Sequence, residues 1–360
     1  MRNSVILIVA IVQGIFFGLL LLLIFVNRAR QSYRAQRATS AANRVAEPLQ
    51  KWLLGIGSAA DLASVLRRLP ERDALDQLTV HVAPRAAPEQ LAQLARALRE
   101  DRWVRRILGQ STSRWWWRRL DAARLLAVVG SLRDRMLLRQ LLGDEHAAVQ
   151  AAASTCLTRV GDYALVEHVL DTLHTRPPIV RVFQLRILRE NWKNTVPALL
   201  ERLVPVAPMA KLQVWIALAE SLGDSRCLFP LMAFSNHPVV EMRISAARAL
   251  RRYVHPDAEA VLRQMMRDGD WRVRAQAARG LGAVGAVGAN GGEAVSELSF
   301  ALADRSWWVR FRSALALAQL GEVGRRALRA ARERPDRFVA DMAAMVSGLS
   351  DGAVMELAEA

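Results

Sequence analysis

Asp270-Trp271-Arg272-Val273-Arg274-Ala275-Gln276-Ala277-Ala278-Arg279-Gly280-Leu281-Gly282 decides how this chain is read, because its pattern returns about every 31 residues. Steps of 31 back from Val273 land on Met242, Lys211, Val180, Val149 and Arg118, and forward steps of 36 and 30 land on Val309 and Val339. Four residues beyond these anchors stand Ala122, Ala153, Gln184, Trp215, Ala246, Ala277, Ser313 and Ala343. Eight beyond stand Leu126, Leu157, Leu188, Ala219, Leu250, Leu281, Leu317 and Ser347. Five of the eight positions twelve beyond are glycine: Gly130, Gly161, Gly223, Gly285 and Gly321. A fixed period of this size marks stacked supersecondary units.

Apolar or small residues at spacings of four line one face of a helix. The glycine at twelve predicts its end, since glycine accepts the left-handed cap conformation without steric cost. A second periodic stretch follows each stop, as in residues 163–170 and 258–266. Two helices of about 12 residues with two short turns fit the period. No stretch alternates with period two, so the fold class is all-α.

These residues resemble the HEAT family, in the short variety shared with the repeats of phycobilisome lyases. The resemblance is clearest at residues 270–282, recurs at Trp308-Val309-Arg310-Phe311-Arg312-Ser313-Ala314-Leu315-Ala316-Leu317, and covers about residues 114–351. It implies an α-α solenoid that serves as a scaffold for unrelated partners, and it names none of them. Around Val180 and Lys211 the chain departs from the pattern: Gln184 and Trp215 replace the alanine, and Trp192 replaces the glycine.

Ahead of the repeats, Val5 to Val26 is a run of 22 residues broken only by Gln13, Gly14 and Gly18. As a helix it spans about 33 Å, enough for a hydrocarbon core of about 30 Å. It ends in Asn27-Arg28-Ala29-Arg30, a stop-transfer flank rather than a signal-peptide cleavage site. Only Arg2 precedes the run, whereas Arg28, Arg30, Arg34, Arg37 and Arg44 follow it. The positive-inside tendency predicts a single-pass inner-membrane protein, its N-terminus outside and its solenoid in the cytoplasm. The expected organisation is a transmembrane helix at 1–27, a basic juxtamembrane helical module at 28–113 that caps the solenoid, and the solenoid at 114–360. Within the module, Asp61 is read as the N-cap of a helix that ends before Pro70, and Pro88 as the first turn of another.

The net charge of +16 is concentrated beside the run: residues 28–119 hold 18 Arg and Lys against 8 Asp and Glu, and residues 120–360 hold 31 against 26. Anionic lipid headgroups near residues 28–119 are the expected partner, at about 1 kcal/mol per basic residue close to the surface. Nucleic acid is not expected of a chain tethered at the membrane. Cys156 and Cys227 suggest no disulfide framework, and Cys156 falls inside a predicted helix as a small buried residue.

No catalytic constellation emerges, and neither metal nor cofactor is expected. The six histidines are scattered over different units without zinc-motif spacing. The glycine-rich stretch 282–292 follows a helix and coincides with the five extra residues between Val273 and Val309, so it reads as a lengthened, flexible turn rather than a phosphate cradle.

Arginine follows the anchor in five units, at Arg119, Arg181, Arg243, Arg274 and Arg310, and an acid stands five before it at Asp144, Asp268 and Asp304. The resemblance implies side-chain ladders between neighbouring turns; the competing reading is an arginine row that meets an acidic protein or a phosphorylated ligand. Trp116, Trp271 and Trp307 each stand two before an anchor, a regularity that predicts packing. The cluster Arg114-Trp115-Trp116-Trp117-Arg118-Arg119 cannot place three indoles on one helix face, so at least one reaches the surface, as in an interface hot spot. The function expected is a non-enzymatic, membrane-anchored scaffold for a membrane-associated protein. A phosphorylated-ligand or anionic-lipid sensor and a lyase-like enzyme are the alternatives.

Inside the apolar run Ala10, Gly14 and Gly18 recur at intervals of four with Gln13 beside them, a stripe that lets a second helix approach, either in a homodimer or in docking onto a larger membrane protein. Gly14→Leu and Gly18→Leu are therefore expected to abolish self-association in a membrane-helix dimerisation assay; unchanged association refutes the pairing.

Overall fold

The computed structural model describes residues 2–285 and 291–359, with side chains for 16–29, 31–33, 35–285 and 292–358. Every regular element among them is helical. The chain divides into two compact units, Met1–Val160 and Gly161–Ala360.

In the first unit one helix, Arg2–Leu53, runs unbroken out of the apolar run and through the basic segment. Ala41, Val45, Leu49 and Trp52 are buried along it at spacings of four, four and three, which is one helical face. They share a core with Leu62, Leu66, Leu78, Leu94, Leu98 and Val104, and also with Ala122, Leu125 and Val129 of the Trp116–Val129 helix. The basic segment thus packs on the first repeat helix through continuous apolar burial. Upstream, Phe16, Phe17 and Phe25 are more than 60% exposed on the same long helix. The side chains of Ala10, Gln13 and Gly14 lie outside the described residues; Gly18 has open space around it. Among the described residues no single helix is long and apolar enough to cross a membrane, and the bent pair Arg337–Ser347 and Asp351–Ala358 meets length and composition only together, at 112°.

Helix starts in this unit follow cap chemistry. The Ala59–Arg67 helix begins two residues before Asp61: Ser58 is the N-cap, its hydroxyl accepting from the Asp61 amide at 3.1 Å while Asp61 accepts from the Ser58 amide at 3.2 Å. Asp61 is the third-position partner of a capping box, not the cap itself. The Pro88–Leu98 helix carries proline at its first position, as expected. Between them, residues Gln77–Val82 wind as a π-helix.

In the second unit the anchor-bearing helices Pro178–Glu190, Met209–Leu222, Val240–Leu250, Trp271–Gly285, Trp307–Gln319 and Arg337–Ser347 each pack on the next. Across both units all eight positions four beyond the anchors are buried. Seven of the eight positions eight beyond are buried too; Ser347 is exposed, and Val346 is buried in its stead. Arg118 is exposed, and at Lys211 the buried position moves to Leu212. Trp215 holds the alanine position by reaching further: its indole N–H donates to the Leu170 carbonyl at 3.0 Å. Trp192, at the glycine position, is exposed.

Three of the five glycines at twelve, Gly161, Gly223 and Gly321, take the positive φ that a left-handed cap requires. Gly130 instead leaves its helix with extended geometry, and Gly285 is the last residue of its helix. Gly282 has a different role. A Cβ there would stand 2.8 Å from Ala316 Cα, so its absence lets the Trp271 and Trp307 helices approach closely. Residues 286–290, the middle of the expected lengthened turn, lie outside the described residues.

Both cysteines are free and fully buried. Burial pushes the Cys156 thiol up to about 12 and the Cys227 thiol up to about 11. At pH 8 the more shifted thiol is ionised to about one part in ten thousand. Iodoacetamide at that pH is therefore expected to leave both thiols of the native protein unlabelled and to modify both in guanidinium; fast native labelling would contradict this burial.

Candidate functional site: an arginine ladder and a tryptophan edge

Three of the turns that lead into anchor-bearing helices share one geometry. Asp144, Asp268 and Asp304 each accept, through one carboxylate oxygen, the amide two residues on: His146 at 2.9 Å, Asp270 at 2.8 Å and Ser306 at 2.7 Å. That bond satisfies an amide at the entrance of the next helix. The same carboxylate receives a two-pronged arginine from the preceding unit. Arg119 donates Nε and Nη2 to Asp144 at 2.6 and 2.9 Å, Arg243 to Asp268 at 2.6 and 3.0 Å, and Arg274 to Asp304 at 2.7 and 3.0 Å.

The remaining nitrogen of each arginine binds the turn that leads into its own helix. Nη1 of Arg119 donates to the Ser113 carbonyl at 2.8 Å, that of Arg243 to His237 at 2.9 Å, that of Arg274 to Asp268 at 2.8 Å and that of Arg310 to Asp304 at 2.8 Å. In the second unit the bonds join end to end, from Arg243 through Asp268, Arg274 and Asp304 to Arg310. At the equivalent position of another unit, Gln150 donates to the Asp144 carbonyl in place of an arginine. Arg119, with a side chain 10% exposed, also pairs with Glu145 at 3.0 Å. The bonds to Asp144 hold its guanidinium above the usual arginine range, and those to Asp268 and Asp304 do the same for Arg243 and Arg274. Burial pushes the Asp304 carboxyl up, but Arg274 and the Ser306 amide together bring it below its ordinary value.

The ladder breaks at two places. Among the described residues neither Arg181 nor Arg310 makes an ion pair. Arg181 donates to the His174 and Arg176 carbonyls at 3.3 and 3.1 Å, and Arg310 lies over the Phe338 ring at 5.3 Å. The position 25 beyond Arg181, where Asp144 and Asp268 stand relative to their arginines, is the exposed Val206.

The tryptophans form the rim of the same turns. Trp116, Trp271 and Trp307 are the first residues of their helices and are 39%, 43% and 44% exposed, so packing covers only part of each. Trp115 and Trp117 are similarly open. Trp115 stacks on Trp117 at 4.6 Å, Trp117 meets Trp116 edge-on, and Trp116 lies flat on His146 at 4.0 Å. Arg114 covers Trp115 at 4.7 Å. All three indoles therefore reach the surface. Trp307 makes a second such patch with Trp308 and Phe311.

One arginine set lies outside the expected row. Arg248 and Arg251 share Glu220, while Arg279 and Arg312 bind carbonyls of the Asp351–Glu359 helix. A signal for it exists in the sequence: arginine recurs six beyond the anchors at Arg124, Arg186, Arg248 and Arg279. Among the described residues no three His, Cys, Asp or Glu side chains gather as a metal site.

The model of the HEAT repeats family matches residues 228–298 and 267–347. Residues 228–347 are HEAT repeats. The ladder from Arg243 to Arg310 and the Trp271 and Trp307 rim lie within them. Among solved structures, the chain is similar to YibA of Escherichia coli, at 16% identity over 74% of this chain and 98% of that one, with a TM-score of 0.35. It is also similar to the CpcE–CpcF complex of phycocyanin lyase from Nostoc sp. PCC7120, at 19% identity over 68% and 93%, with a TM-score of 0.29. No curated protein matches the chain.

Removing one partner of a buried ion pair costs about 3–5 kcal/mol, whereas an exposed pair is worth at most about 1 kcal/mol. Asp268→Ala is thus expected to lower stability to urea by about 3 kcal/mol. Arg272→Ala, which breaks half-exposed pairs to Glu241 and Asp270, should leave it close to the wild-type value, because solvent screens such pairs. Equal effects would show that the ladder does not support the stack.

Proposed function

We propose that this protein is a membrane-anchored HEAT-repeat scaffold that holds a partner protein at the cytoplasmic face of the inner membrane. The observation that carries the binding half is the Trp115–Trp117 cluster. Its indoles are stacked on one another and on His146 before any partner arrives, and each keeps about two fifths of its surface open. Rigid aromatic side chains flanked by arginine are the composition of interface hot spots, because they bury large area at little entropic cost. Arg114 and the exposed Arg118 supply that flank. The guanidiniums of Arg119, Arg243 and Arg274 are engaged on all sides, which weighs against the arginine row as a phosphate or lipid sensor.

The anchoring half rests on the Val5–Val26 run, its exposed phenylalanines on the Arg2–Leu53 helix, and the ten-charge surplus of residues 28–119. The apolar run enters the hydrocarbon and the basic segment meets anionic headgroups. Because one helix carries both, the scaffold stands at a fixed distance from the bilayer. The span's small-residue stripe adds a homodimer as the second association.

The test is a pull-down from detergent-solubilised membranes. The wild type is expected to retain a partner protein, and Trp116→Ala with Trp117→Ala to reduce its recovery at least tenfold. Equal recovery, or no co-purifying protein in any form, overturns the scaffold reading.

A further inference from the structure

Four arginines of the second unit outside the ladder, Arg248, Arg251, Arg279 and Arg312, lie close enough to act on one another. Arg248 Nε lies 3.0 Å and Arg251 Nη2 lies 3.5 Å from Glu220, which among the described residues is the acidic side chain that pairs with this set. Arg279 Nε donates to the Ala358 carbonyl at 2.7 Å, and Arg312 Nη1 to the Leu357 carbonyl at 2.7 Å. Burial first, then the neighbouring guanidiniums of Arg251, Arg312 and Arg248, push Arg279 below its usual range. Burial and Arg251 do the same to Arg312. Four cations held together in this way favour any occupant that brings negative charge.

The occupant in the structure is the C-terminal end of the Asp351–Glu359 helix. Its last carbonyls have no partner within the helix and carry the negative end of the helix dipole, which is what Arg279 and Arg312 receive. The helix is weakly held by other means. It has nine residues, buries only Val354 and Ala358 among its described side chains, and leaves Met355 62% exposed. Helices of that length have little stability of their own and belong to the part of a fold that opens most readily.

We propose that the face formed by Arg248, Arg251, Arg279 and Arg312 is a docking surface for an acidic helical segment of a partner protein, bound by its C-terminal end, and that the Asp351–Glu359 helix fills it until such a segment displaces it. This rests on the scaffold reading above and adds a second contact of defined chemistry to the tryptophan cluster. The solenoid recognises the segment by cations aimed at terminal carbonyls and carboxylates, and the cis helix sets a threshold for binding.

The test uses the full chain in detergent and a fluorescent peptide with the sequence of residues 350–360. Val354→Asp places a charge in the helix's buried contact and loosens it. By anisotropy this variant is expected to bind the peptide at least tenfold more tightly than the wild type, with affinity falling as salt is raised. Adding Arg279→Glu and Arg312→Glu to Val354→Asp should abolish binding while circular dichroism keeps the helical signal. Binding no tighter than in the wild type, or unchanged by the charge reversals, overturns the proposal. In the wild type, amides 354–358 should exchange hydrogen faster than those of the Trp307–Gln319 helix; equal protection also overturns it. The tryptophan variants leave this peptide readout untouched, so a failed pull-down and a failed peptide titration are distinguishable.

Discussion

The arginine–aspartate ladder is the interaction on which the rest of the repeats depends. Helices of about a dozen residues are marginal alone, and each turn between them leaves amides and carbonyls without partners. One aspartate meets an entering amide and an arginine of the preceding unit; one arginine meets that aspartate and the carbonyls of its own turn. The aspartate and arginine of each pair are satisfied by the neighbour that must be beside them, so the bonds fix spacing as well as strength. The Arg274–Asp304 pair shows how firmly. Its partners are five residues further apart in sequence than Arg119 and Asp144 or Arg243 and Asp268, yet the bond lengths agree within 0.1 Å.

Where the ladder lapses, other irregularities gather. The unit of Arg181 has no following aspartate, and it and the next unit replace the alanine with Gln184 and Trp215. Trp215 is buried there and anchors itself to the Leu170 carbonyl. At the other end, Asp336 caps the Phe338 and Val339 amides, and Arg310 turns to the Phe338 ring. A guanidinium that loses its carboxylate keeps its backbone acceptors and adopts an aromatic face, the next best source of negative potential.

Function follows from what this network leaves over. The ladder arginines are committed inward, the indoles at the helix entrances keep about two fifths of their surface open, and the Arg248 set is held by Glu220 and by the last carbonyls of the Asp351–Glu359 helix. The Trp115–Trp117 cluster could be read as a surface feature because three adjacent residues cannot share a helical face. Its stacking on His146 could not, since that ring comes from the next turn. The Arg248 set was missed for a similar reason: six beyond the anchor is not a core position, and only the return of the Asp351–Glu359 helix brings Arg279 and Arg312 to a common acceptor. The cap lies three residues earlier than Asp61, at Ser58, because aspartate is a favoured N-cap residue as well as a partner of one.

The sequence by itself determined the period, the helical class, the eight buried positions four beyond the anchors, and the concentration of basic charge beside an apolar run. Those are consequences of local geometry, in which residues four apart must share a face. The tertiary structure decided which arginines are structural, which glycines are caps and which are contacts, and where the last helix comes to rest. These depend on groups 25 or more residues apart meeting within 3 Å, and periodicity shows that such residues are equivalent without showing what each one touches.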